Sequence, residues 1–306
     1  MEDGKSQALI TSSDLEIIID KESGRLGNIS RQGKTIITAG PVFNIWRGAL
    51  DNDGIKGKSV QWKFKDELLQ QWIDAGFDKL NCETHRLDII PTTDGSITVW
   101  IDQRYNCRDT KKGFSHSHVY TIKPSGIIVV DNTFKIDEGQ PEVSRLGVRM
   151  TVNGDFNNLT WLGRGPHENY ADRKSGAAIS KYSGIVSEQY YPYIVPQENG
   201  NKEDVRLFSL VNKTNVGLQI QAMPTFSFSA HHFTPEDLYN AYHSTELHPR
   251  KEITLLLDLV QRGLGTASCG PDTLAQYQIK PGTHRFQYAI RLSEGRRLRK
   301  RFLNYS

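Results

Sequence analysis

Four segments of this 306-residue chain concentrate the side chains that could do chemistry. They are Trp46 to Gly54 (WRGALDNDG), Gly163 to Arg173 (GRGPHENYADR), Tyr190 to Gly200 (YYPYIVPQENG) and Gly263 to Pro271 (GLGTASCGP). Rigid aromatic faces beside Asp, Asn, Glu, His and Arg suit a carbohydrate. Its C–H faces stack on rings while its hydroxyls demand donors and acceptors. The same residue types also build corners, with Asp and Asn binding main-chain amides and Gly taking positive φ. Spacing alone leaves a sugar site and a protein interface both open. A sugar epimerase would need an acid and a base astride the anomeric carbon. His167, Glu168 and Glu198 are of the right types for that.

Metal chemistry finds little support. Cys82, Cys107 and Cys269 form no CxxC pair, and a zinc site asks for four close ligands. His116 and His118 would share one face of a strand, with no third ligand nearby, and read as hydrogen-bonded or exposed histidines. His231 and His232 would point to opposite faces. The expectation is no structural metal and reduced thiols.

The elements that must position these loops read as strands. Leu15 to Asp20, Leu26 to Ile29 and Thr35 to Thr38 form a meander with glycine at its turns. Further β-rich runs are Ile97 to Gln103, His118 to Ile122, Ile127 to Phe134, Val143 to Met150, Leu159 to Leu162, Val205 to Val211, Val216 to Ala222 and Ile253 to Gln261. Leu255 to Val260 (LLLDLV) is nearly all apolar, as in a strand buried on both faces. Two stretches have helical periodicity: Lys63 to Lys79, and a segment capped by Thr234 with Pro235 first. In the second, Leu238, Tyr242 and Leu247 are expected to face inward. Residues 1–306 read as a single domain, with tails at 1–13 and 296–306.

A net charge of +3 is too mild for nucleic-acid binding, and the basic run Arg296 to Arg301 reads as a solvated tail. No segment approaches the ~20 apolar residues that cross a bilayer. The start, MEDGKSQALI, lacks the pattern of a signal peptide. The expectation is a cytoplasmic protein with neither nucleic acid nor membrane among its partners.

GRGPHENYADR followed by YxPYxxPQENG resembles the C-terminal domain of lactose-type β-galactosidases, glycoside hydrolase family 2. WRGALDNDG, FSFSAHHFTPEDL and LVQRGLGTASCGPDTLAQY are similar to three more blocks of that family, in family order. The resemblance implies an all-β fold, a galactose-mutarotase-like β-supersandwich of antiparallel sheets with one or two short helices. It also implies that two glutamates on a separate β/α barrel cleave a β-galactoside such as lactose with retention. Retention needs their carboxyls about 5–5.5 Å apart, and no barrel motif occurs here. The chain alone should therefore be inactive and carry no cofactor, magnesium and sodium belonging to the barrel. Its partner would be that barrel domain or a large subunit, with a galactoside substrate in the assembled enzyme.

The same resemblance places Cys269 and Ser268 on the substrate-pocket wall, where relatives commonly carry a tryptophan at the Cys269 position. Asp51, Asn52, Asp53 and Gly54 open a turn, Asp51 to Lys58, similar to the family's mobile loop beside the active site. Arg164, His167, Glu168, Asn169, Tyr193, Glu198 and Asn199 are candidates for sugar or interface contacts. A stand-alone carbohydrate-binding or scaffold module, and a mutarotase-type epimerase, are the alternative readings.

Overall fold

The computed structural model describes residues 1–12, 14–54, 56, 67–108 and 112–294. Alternation of apolar and polar residues dictates most of it. In β3 (Leu15–Asp20), Leu15, Ile17 and Ile19 turn inward, and in β8 (Gly113–Ile122) the inward row is Phe114, His116, His118, Tyr120 and Ile122. The remaining strands in chain order are β1 (Glu2–Asp3), β2 (Gln7–Ser12), β4 (Arg25–Arg31), β5 (Lys34–Asn44), β6 (Asn81–Pro91), β7 (Ile97–Asn106) and β9 (Ile127–Ile136). After them come β10 (Arg145–Val152), β11 (Asn158–Gly165), β12 (Ala178–Ile185), β13 (Lys202–Val211), β14 (Val216–His231), β15 (Ile253–Gln261) and β16 (Gly282–Glu294).

All described pairings are antiparallel. The main path runs β1-β2-β3-β4-β5-β10-β15-β14-β16-β9-β8-β7-β6. A branch, β13-β11-β12, grows from β14. One edge of β14 pairs with β13. The other edge pairs with β16 over Val216 to Met223 and with β15 over Ser227 to His231. Pro224, which has no N–H to donate, lies where the ladder passes between these two partners.

The two arms of the path then face each other. Phe43 on β5 contacts Tyr105 on β7, Phe114 on β8 and Phe134 on β9, at ring separations of 4.8, 5.5 and 5.7 Å. None of these strands neighbours β5 in the sheet, so the contacts cross between layers. The result is a curled antiparallel sandwich around one core.

Two helices cover its margins. α1 (Leu68–Ala75) buries Leu69 and Trp72 and ends at Gly76 in a left-handed conformation. α2 (Pro235–Asn240) is capped by Thr234, whose hydroxyl accepts from the Asp237 amide. The expected first helix began at Lys63, and residues 63–66 lie outside the described set. Leu238 faces inward as expected, whereas Tyr242 is exposed, because the chain has already left the helix at Ala241.

The N-terminal tail needs correction. Residues 7–12 form β2, paired along β3, because an apolar run there puts Ala8 and Ile10 on the core face while Leu9 turns to the other side and is only partly buried. The C-terminal tail, 296–306, is outside the described residues.

Three buried imidazoles make the fold sensitive to acid. Burial lowers His116 and His231 to about 4 and His118 well below the ordinary 6.5. Between about 4 and 6.5 the unfolded chain binds these protons and the folded chain does not, so stability is lost as pH falls. Buried Glu203, raised to about 7, and Asp258, raised to about 6, act in the opposite sense but are outnumbered. Unfolding free energy should therefore decline from pH 6.5 towards 4. His118→Phe should flatten that decline by one proton, about 1.4 kcal/mol per pH unit. Urea titrations at several pH values check this, and an unchanged slope would refute it.

Candidate functional site

The four polar segments leave the same end of the sandwich, from the end of β5, the end of β11, the approach to β13 and the end of β15. Register brings their strands together there, with Asn44 opposite Gly147 and Arg145 opposite Gln261. What seats the segments is a set of buried arginines. Arg145, inaccessible to water at the start of β10, binds Asp258 of β15 through Nε and Nη2. Its Nη1 donates to Glu198 Oε1 at 3.1 Å, which ties the third segment to the sheet. Arg47 forks onto Asp53 at 2.9 and 2.5 Å and donates to the Arg262 carbonyl, joining the first segment to the fourth. Arg262 in turn reaches Glu142 and Asp272. A buried guanidinium without its carboxylate is strongly disfavoured, so these pairs fix where each loop can lie.

Finer bonds complete the stitching. Asn52 donates to the Gly265 carbonyl and accepts from the Ser268 amide and hydroxyl. Asp172 accepts from the amides of Leu264 and Gly265. Glu168 accepts from the Tyr170 and Tyr193 hydroxyls and from the Gly200 amide. Gly200 has φ of 76°, and a Cβ there would meet the His231 ring at 2.6 Å, so glycine is required. Lys56 adds a clip from outside. Its ammonium donates to the carbonyls of Pro196, Leu238, Tyr239 and Ala241 at 2.6–3.0 Å, and burial lowers its pKa to about 8.

Where the segments meet lies a cavity of about 270 Å³. Leu50, Asp51, Asn52, Tyr170, Arg173 and Tyr193 line one part of it, and Gln197, Glu198, Leu264 and Ser268 the rest. Two tyrosines and two leucines supply apolar surface, and the other residues supply donors and acceptors. The volume is just under the ~300–1,000 Å³ of pockets for drug-sized ligands, the scale of one sugar ring.

The residues expected at a site divide accordingly. Asp51, Asn52, Tyr193, Glu198 and Ser268 line the cavity, and Cys269 is an exposed free thiol next to Ser268. Asp53 and Gly54 are buried behind it, Asp53 as the partner of Arg47. Arg164 is bound to Asp204 and to the carbonyls of Lys174 and Ala177. His167 is exposed and does not line the cavity. Asn169 and Asn199 are buried and hold main-chain groups of Glu203 and Tyr191. Much of the Asp51 to Lys58 loop, residues 55, 57 and 58, lies outside the described residues. Arg145 and Asp258 escaped the sequence reading, although a lone Asp inside LLLDLV demands a buried cation.

A family model described as beta galactosidase small chain matches residues 11–292. The chain belongs to that family. Among relatives, a beta-galactosidase of Priestia megaterium is 30% identical over 84% of this chain and 23% of its own length. One of Pseudoalteromonas haloplanktis is 26% identical over 95% of this chain and 27% of its own. This small-chain sequence thus spans about a quarter of the relatives it matches. Among solved structures, an aldose epimerase homologue from C. elegans aligns over 94% of this chain and 99% of its own, with TM-score 0.48 and 10% identity.

Removing one member of the buried charge set should be costly. Arg145→Met leaves Asp258 and Glu198 without their cation and should lower unfolding free energy by ~3–5 kcal/mol. Asp258→Leu added to it should recover part of the loss. Denaturant melts of the three proteins measure both effects.

Proposed function

We propose that this small-chain sandwich is a non-catalytic wall of a galactoside pocket in a retaining β-galactosidase. The bond-cleaving glutamates would lie on a separate barrel domain or large subunit. What carries the reading is the convergence of four loops on one sugar-sized cavity, with Glu198 in its wall and Glu168 behind it both committed to protein partners. Glu198 is bound to Arg145 and Glu168 to two hydroxyls and an amide, so neither is poised as nucleophile or general acid. Asp51 is the exposed carboxylate of the wall. Hydrolysis with retention needs two facing carboxyls about 5–5.5 Å apart, and those must come from the partner.

The galactoside would be a terminal β-linked one such as lactose, and the assembled enzyme would work in the cytoplasm. Magnesium and sodium belong with the barrel in this reading. Among the described residues no group of three His, Cys, Asp or Glu side chains could hold a metal ion. An epimerase is less well supported, because Glu168 is tied up and His167 does not line the cavity.

The pure chain should not hydrolyse nitrophenyl β-galactoside, and adding the barrel-bearing partner should yield turnover. Turnover that copurifies with the chain and vanishes in Glu168→Gln or Glu198→Gln would overturn the reading.

Cys269 offers a test within the assembled enzyme. Cys269→Trp would add an aromatic platform beside Ser268, worth roughly 1 kcal/mol, or about fivefold in affinity for the entry complex. The change should fall on KM with kcat little altered, since an entry contact favours the ground state. An unchanged KM in a well-folded variant would show that this loop does not reach substrate.

A further inference from the structure

The branch strand β12 ends the sheet with its outer edge turned away from the molecule. Its partner is β11, and among the described residues no strand lies on its other side. The hydrogen bond from the Val186 amide to the Asn157 carbonyl fixes the phase of the ladder. That bond places residues 157 and 186 at a hydrogen-bonded position, so the odd-numbered residues of β12 direct their main-chain groups outward, as the Ile185 amide and carbonyl do. At Ile185 those groups are taken by the Glu188 and Gln189 side chains. Ile179, Lys181 and Ser183 present theirs at the edge.

Exposed edges are usually guarded by charge or proline. The other long terminal strand, β6, carries Glu83, His85, Arg86, Asp88 and Pro91. β12 reads AISKYSGI, with one charge and no proline, and six of its eight residues are exposed. Ile179, Lys181, Ser183 and Ile185 share a face with Leu162, which sits opposite Lys181 on β11. Ile179, Ile185 and Leu162 are 46%, 36% and 39% exposed, so an apolar stripe flanks the open edge.

We propose that β12 pairs with β12 of a second copy of this chain, antiparallel about a two-fold axis at Tyr182. In that register the outward main-chain groups of Lys181 and Ser183 meet those of the partner's Ser183 and Lys181, while those of Ile185 stay with Glu188 and Gln189. Ile179 faces the partner's Ile185, and Lys181 faces the partner's Ser183. The apolar stripes join, and the lysines do not oppose each other. Centring the axis on Lys181 would set the two ammonium groups face to face. Centring it on Ser180 would leave Ser183 and Ile185 beyond the paired stretch. The interface is isologous, and the paired strands make one continuous sheet across both copies. This proposal does not depend on the galactoside reading.

The register dictates the test. Ser183 is exposed, so its substitution leaves the fold intact, which a thermal melt confirms. Ser183→Glu places a carboxylate opposite Lys181 of the partner copy twice per dimer, and Ser183→Lys places a second ammonium there. Sedimentation equilibrium of the full chain across the micromolar range should show a dimer. The glutamate variant should dimerise more tightly and the lysine variant more weakly, each by roughly threefold to tenfold. Lys181→Glu combined with Ser183→Lys restores opposite charges across the pair with their places exchanged, and should bring the affinity back from that of the lysine variant to that of the glutamate variant. A monomer throughout that range would overturn the proposal. So would glutamate and lysine variants that shift the equilibrium alike, or a double variant that fails to recover.

Discussion

A guanidinium cut off from water governs the loop end of this molecule. Arg145 keeps its charge in the interior because Asp258 and Glu198 accept its hydrogen bonds. Asp258 is fixed by the β10–β15 ladder, but Glu198 arrives on an irregular segment with no strand to hold it. The segment must therefore lie where its carboxylate can reach the cation. Arg47 and Arg262 repeat the device, each burying a guanidinium beneath a carboxylate contributed by the loops. Loops are ordinarily the most variable and mobile parts of a fold. Here three buried guanidiniums, each costly to strip of its carboxylates, give them the definition of core.

That definition limits the chemistry the site can perform. Glu198 has an oxygen engaged by the buried Arg145 guanidinium. Glu168 accepts from two tyrosines and an amide. Positioning thus engages both Glu198 and Glu168. What remains turned to the cavity, namely amides, hydroxyls, an arginine, an exposed aspartate and two phenol rings, is a mixture of hydrogen-bonding groups and apolar faces, which the proposed pocket wall would use.

Sequence patterning revealed most of the sandwich, and its failures have physical reasons. Leu15–Asp20 and Ile253–Gln261 read correctly to the residue, since β-branched and apolar runs bounded by turns have few alternatives. β6 and β12 were missed because edge strands with exposed faces carry polar, weakly patterned sequences. β2 was missed because six residues near a terminus offer too short a run to distinguish from a tail. At the candidate site, the four loops were legible from composition, as glycine, aromatics and acids cluster there. The division of labour within them was not. Whether Asp53 faces a ligand or an arginine depends on the burial of Arg47, which the spacing of the two residues does not reveal.

β14 shows how a sheet can supply both the core and the floor of a site. Over its first half it pairs with the branch strand β13 on one edge and with β16 on the other, with Leu218 and Ile220 in the core. Past Pro224 its second edge passes to β15, and the side chains alternate between two different interiors. Phe226 and Phe228 stay in the apolar core, while Ser227, Ser229 and His231 face the other way and are buried too. His231 bonds the Asn199 carbonyl, next to the glutamate that Arg145 holds. A strand buried on both faces would ordinarily be apolar throughout. Of the polar row along one face of β14, His231 is the member that bonds a loop carbonyl, and the Ser227 and Ser229 hydroxyls are small enough to be buried beneath the loops without a bonding partner.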